Sequence, residues 1–186
     1  MYDTYQQRIA ECDQELERHL QRFADKPPAP SEHAERLPTS PERYKKSRPH
    51  APRFDLGGEL HRINGVDLTR IDGIDVGVAQ TVISDVGLDM TCWPTEAHFT
   101  LWLGLCPDNR ISGDKVLRKG TRQVVNRAAT ALRLAATTLL RSQSYLGAQH
   151  RRLRTKLGAP KAITAMAHKL APTRLPHAQA GARIRR

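Results

Sequence analysis

One hundred and eighty-six residues hold one ordinary domain with appendages, or two small domains, and are too few for a large multidomain enzyme. Thirty Lys and Arg against nineteen Asp and Glu give a net charge of +11, which favours a polyanionic partner, and 39% apolar content suffices for one core. No apolar run approaches the ~20 residues that span a bilayer, the start MYDTYQQRIAECDQ lacks a secretory pattern, and three scattered cysteines point to a reducing cytoplasm rather than a disulfide framework.

Residues 1–24 read as an amphipathic helix. Tyr2, Tyr5, Ile9, Cys12, Leu16 and Phe23 recur at alternating three-four spacing, with His19 at the remaining seam position and Leu20 widening the stripe. That pattern fits either a coiled coil, with homo-oligomers formed through residues 2–23, or a helix packed on its own domain. Residues 25–55 carry seven of the twelve prolines and the basic cluster Arg43, Lys45, Lys46 and Arg48. Proline locks φ and removes a donor, so this segment reads as an extended linker whose charges are solvated or touch a phosphate backbone.

From 56 to 171 the pattern is helical and predicts a compact domain, so the fold class is all-α. Leu60, Ile63 and Val66 suggest a short helix; Val78, Ala79, Val82, Ile83 and Val86 line one face of a helix over 76–86. Thr95 is a natural N-cap for a helix carrying Phe99, Trp102 and Leu103. CPDNRISGDK reads as a polar break. The longest helix is predicted over Thr121–Arg141, with Val125, Ala128, Leu132, Ala135, Ala136, Leu139 and Leu140 inward. Another covers 144–157 and stops at Gly158; Pro160 opens a last one through Leu170, closed by Pro172. Residues 172–186 have little core-forming content and read as a disordered tail.

The sequence LTRIDGIDVGVAQTVISDVG has the hydrophobic-x-Gly-hydrophobic turn of a helix-hairpin-helix, in which backbone N–H groups face a phosphate. Asp75 stands where a small residue is usual, with Asp67 and Asp72 close by, so a packing or protein-contact role is favoured over direct DNA binding. Cys92, His98 and Cys106 fit no common zinc spacing, and no metal site is expected.

Charge divides the chain. Residues 1–109 hold twelve basic and eighteen acidic side chains, a net of −6, whereas residues 110–186 hold eighteen basic and one acidic, a net of +17. Arg110, Lys115, Arg118, Lys119, Arg122, Arg127, Arg133 and Arg141 lie along and before the predicted long helix, and Arg151, Arg152, Arg154 and Lys156 form a second cluster. With almost no acid to balance them, they favour a nucleic-acid face of low sequence specificity over a merely solvated one. Ser112, before a glycine in RISGDK, is by itself an ordinary turn residue with no base beside it in the sequence.

The runs IDGIDVGVAQTVISDVGLDMTCWPTEAHFTLWLGLCPDNRISGDK, NRAATALRLAATTLL and LGAQHRRLRTKLGAPKAITAMAHKLA resemble the C-terminal region of insertion-sequence transposases of the IS-one-ten family. YQQRIAECDQELERHL and the proline-rich linker are similar to the segment before that region, so the resemblance spans about residues 1–171. It implies DNA transposition at a composite site, with oligomeric protein, DNA as substrate and a structured RNA bridging donor and target. Ser112 matches the family serine nucleophile and Lys115 the motif lysine, while Asp114 departs from the usual glycine. Mg²⁺ would belong to the DEDD carboxylates of an N-terminal RuvC-like domain, for which this sequence has no counterpart. The expectation is therefore a nucleic-acid-binding portion inactive alone; the alternatives are an oligomerisation or regulatory module and a decayed remnant.

Overall fold

A computed structural model describes residues 1–26, 52–113, 115–118, 120–121 and 124–174, with the backbone alone at 110, 111, 116, 118, 173 and 174. Among these residues seven α-helices follow in order: α1 (Tyr2–Gln21), α2 (Leu56–Asn64), α3 (Val76–Val86), α4 (Glu96–Trp102), α5 (Arg127–Thr138), α6 (Tyr145–Leu157) and α7 (Ala159–Leu170). Short 3-10 turns occupy Leu68–Arg70, Leu139–Arg141 and Ala171–Arg174. The class is all-α, as the periodicities predict. Residues 27–51, which hold most of the expected linker, and 175–186, most of the expected 172–186 tail, lie outside the described residues.

α5 is the centre of the packing, with α3 and α7 as its principal partners. Its buried face is built from Ala128, Ala129, Ala131, Ala135 and Ala136 around Leu132. Alanine costs least in a helix and lets neighbouring helices approach closely. Around it the core gathers Leu56, Leu60 and Ile63 of α2, Val82 and Ile83 of α3, Phe99 and Leu103, and Met166 and Leu170 of α7. Trp93, Phe99 and Trp102 form an aromatic cluster, with Trp93 edge-on to Phe99 at 5.1 Å between centroids.

Two expectations need correction here. The long helix begins at Arg127, not Thr121: Thr121 pairs with Pro107 in an isolated bridge, and Asn126 caps the helix by accepting from the Ala129 N–H at 2.9 Å. The Asp85 carboxylate accepts from the Ala128 N–H at 3.0 Å, so α3 supplies a second anionic cap. Val125 is consequently outside the helix and fully exposed rather than inward. The polar break CPDNRISGDK is in part a β-hairpin, β1 (Arg110–Ser112) against β2 (Lys115–Arg118). The signal was present in the sequence, because Gly-Asp between RIS and KVLR is a two-residue hairpin loop.

α1 is docked on the domain at its C-terminal end. Leu20 is buried and Leu16 packs against the core. Arg62 of α2 ties down the end of α1 by donating to the Leu20 and Phe23 carbonyls at 2.9 Å each, and to the Asp25 carboxylate. Toward the other end Tyr2, Tyr5 and Ile9 of the same stripe stay exposed.

The turn before α3 faces inward. Gly73 takes φ +93°, and a Cβ there would lie 2.9 Å from the Ala135 carbonyl oxygen of α5. Asp72, 3% exposed, accepts from the Ser142 and Ser144 hydroxyls, the latter at 2.6 Å.

Candidate nucleic-acid interface

The hairpin places Ser112 directly across from Lys115 at its tip, the last paired position before the turn. Gly113 supplies φ +52° for that turn, which side chains with a Cβ adopt with strain. One extra residue on β2 between the Arg110 and Ile111 pairings makes a bulge. The hairpin's main packing partner is itself, and it extends as far as the Asp108 N–H donating to the Gly120 carbonyl at 2.6 Å. Ser112 and Lys115 are exposed, and among the described residues no side chain hydrogen-bonds the Ser112 hydroxyl. Cross-strand neighbours of this kind have Cβ atoms about 4.5–5.5 Å apart, so an ammonium and a hydroxyl can reach one phosphate.

Arg110 and Arg118 face each other in the ladder rather than on a helix, and Arg127 is exposed at the first position of α5. Lys119, Arg122 and Asp114 lie outside the described residues. Arg118 lies on β2 and not on an approach to the long helix, which starts later than its apolar spacing suggested.

The second cluster lies on α6, where Arg151, Arg152, Arg154 and Lys156 are all exposed. Ser144 caps this helix, accepting from the Gly147 N–H at 3.2 Å, and Gly158 ends it. Gly147 is required there: a Cβ would meet the Ser142 carbonyl oxygen at 2.3 Å. Arg151 is partly structural, donating to the Ser142 carbonyl at 2.6 Å and so covering the carbonyls that end the α5 segment. On the inner side His150 is 2% exposed, and neither ring nitrogen has a hydrogen-bond partner. Burial, then the charges of Arg154 and Arg151, hold its pKa below the ordinary histidine value.

Ion pairs among the described residues are confined to the chain up to Arg62, for example Arg8–Glu11 and Arg62–Glu59. The cations of α6 and α7 have no ion-pair partner among the described residues. The turn before α3 offers the opposite chemistry. Asp75 accepts from the Val78 N–H at 2.8 Å, which puts a carboxylate at the helix N-terminus where a phosphate would sit.

Among the described residues no group of three or more His, Cys, Asp or Glu side chains could hold a metal ion, Cys92, His98 and Cys106 included. The Mg²⁺ implied by the resemblance thus finds no ligand set among them. No described helix is long and apolar enough to cross a membrane.

What the sequence left unread is the outer face of α6 as a unit. Tyr145, Gln149, Arg152 and Lys156 line one groove of about 380 Å³, and Lys169 of α7 stands over the Tyr145 ring. The spacing i, i+4, i+7, i+11 was the signal that could have found it.

Compared with known proteins, residues 67–158 match the model of a family described as the transposase IS116/IS110/IS902 family. No curated protein and no solved structure matches. The matched segment opens at Asp67, includes the inward turn, the Ser112 hairpin and α5, and ends with α6 at Gly158. Residues 67–158 of this chain are thus similar to the transposase IS116/IS110/IS902 family, a likeness that supports a role in transposition.

Proposed function

We propose that this chain binds nucleic acid through the exposed cations of α6 and the Ser112 hairpin, and contributes Ser112 as the nucleophile of a composite recombination site. The observation that carries the first half is that Arg152, Arg154 and Lys156 are exposed on one helix without an ion-pair partner among the described residues. Such cations neutralise phosphates and release condensed counterions, which gives affinity with little sequence readout. The second half is supported by the family match around Ser112 and by Lys115 lying opposite it. In that step the Ser112 oxygen bonds to a DNA phosphorus, a deoxyribose oxygen leaves, and the hydroxyl proton passes to a base outside the described side chains.

Within that composite site residues 1–186 supply the serine and the cations; a bridging RNA and Mg²⁺ on RuvC-like carboxylates are its other components. Two experiments test this reading. Log affinity for duplex DNA should fall with log salt by about −0.9 per phosphate neutralised, and removing each charge at Arg152, Arg154 or Lys156 should flatten that slope by roughly one. A salt-independent affinity refutes the interface. Ser112→Ala should leave binding intact and abolish strand transfer when the RuvC-like domain, RNA and Mg²⁺ are added; normal transfer makes the serine structural.

A second reading is favoured by the exposed Tyr2, Tyr5 and Ile9 stripe on α1. There the chain acts by joining other copies of the family's protein, as an assembly or regulatory module. Both readings can hold together, since α1 and α6 present separate surfaces.

A further inference from the structure

We infer that the groove on the outer face of α6 seats an unpaired nucleotide, its base stacked on Tyr145 and its phosphates on Arg152 and Lys156. This rests on the reading of α6 as a nucleic-acid face and adds the strand state of the ligand. Tyr145 is the first residue of α6 and is 71% exposed, although Phe99 and Trp93 of the same domain are packed against the core. Its neighbours one, two and three turns on are Gln149, Arg152 and Lys156, which share its groove, with Leu153 as part of the floor.

Lys169 reaches across from α7. Its ammonium lies 5.8 Å from the Tyr145 ring centroid and donates to the Gln149 Oε1 at 2.7 Å. That tether holds a cation over one face of the ring, and the exposure of Tyr145 leaves ring surface to solvent. A groove of about 380 Å³ falls in the range of ligand sites, roughly 300–1,000 Å³.

Phosphate neutralisation alone would need no aromatic ring at the head of a row of cations. Bases within a duplex hide their faces in the stack, so an exposed ring that shares its groove with two cations is matched to a strand whose bases are unpaired. Neither Asp nor Glu lines the groove to oppose it.

The test compares the full chain with Tyr145→Phe, Tyr145→Leu and Arg152→Ala. Ligands are oligo-dT, oligo-U and a duplex of equal length, and the reading is by fluorescence anisotropy. Tyr145→Leu should weaken single-strand binding by about 5- to 150-fold, the range for loss of one stacked base, and change duplex binding less than about twofold. Tyr145→Phe should keep single-strand affinity, and Arg152→Ala should weaken all ligands. A 2-aminopurine placed in the oligonucleotide should be quenched by the unchanged protein and by Tyr145→Phe, not by Tyr145→Leu. The oligo-dT and oligo-U arms decide whether DNA or RNA is preferred, and equal affinity means that the base alone is read. Equal losses on single strands and duplex, or no loss with Tyr145→Leu, overturn the inference while leaving the cationic interface standing. Absence of binding to every ligand overturns both.

Discussion

Asp72 accepts a hydrogen bond from Ser144 at 2.6 Å across 72 residues of sequence, and this joins the turn before α3 to the start of the basic helix. The same carboxylate takes the Ser142 hydroxyl, and Ser144 in turn caps α6. An acidic residue of the turn before α3 is thus a buried anchor for the helix that carries the cations.

Asp72→Ala should therefore lower unfolding free energy by about 2–3 kcal/mol, because two half-buried hydroxyls lose an anionic acceptor. Urea denaturation followed by circular dichroism measures it. An unchanged midpoint would show that the network does not hold the two segments together.

His150 gives the domain an acid-labile point. Its pKa is held below the ordinary value of 6.5 in the folded state, so the unfolded chain takes up the proton first as pH falls. This contribution is constant above pH 6.5 and becomes destabilising from there downward, levelling off below the folded pKa. His150→Leu should remove that part of the pH dependence without loss of stability at pH 7.5, since no hydrogen bond of the ring is broken. Equal pH profiles for the two proteins would contradict the assignment.

Two glycines in helices should respond oppositely to alanine. At Gly147 the added Cβ would collide with the Ser142 and Leu139 carbonyls at 2.3 and 2.9 Å, so Gly147→Ala should cost several kcal/mol or prevent folding. At Gly77 the nearest atom is the Asp75 side chain at 3.4 Å, and Gly77→Ala should stabilise by up to about 1 kcal/mol. Thermal melts of both variants decide the point; similar melting temperatures would refute the close approach of α6 to the 139–144 segment.

On α1 the docked and exposed halves of the stripe separate oligomerisation from folding. Tyr5→Asp with Ile9→Asp should convert oligomers to monomers in sedimentation velocity, while stability changes by no more than about 0.5 kcal/mol per exposed site. Leu16 is unsuited to this test because it packs on the chain's own core. Oligomers that survive the double change place the self-contact elsewhere.

Helix existence was legible because apolar spacing and capping residues act locally. Thr95, Asn126 and Ser144 each accept from the backbone N–H three residues on. The start of α5 was misread because Val124 and Val125 continue the apolar pattern; Asn126 and the distant Asp85 end it instead. The Ser112 hairpin was passed over because its strands are short, although the Gly-Asp loop marked it.

By itself the sequence determined the all-α class, the separation of acidic from basic segments and the resemblance that singled out Ser112, all properties of local pattern or of composition. Only the tertiary structure decided which charges are used internally. Asp72, Asp75 and Asp85 are engaged with serine hydroxyls and helix N-termini, and Arg151 with backbone carbonyls, whereas Arg152, Arg154 and Lys156 face outward, two of them, Arg152 and Lys156, in the Tyr145 groove. The physical reason is that a charge acts on a partner only if burial and geometry leave it unneutralised, and those are set by contacts between residues tens of positions apart.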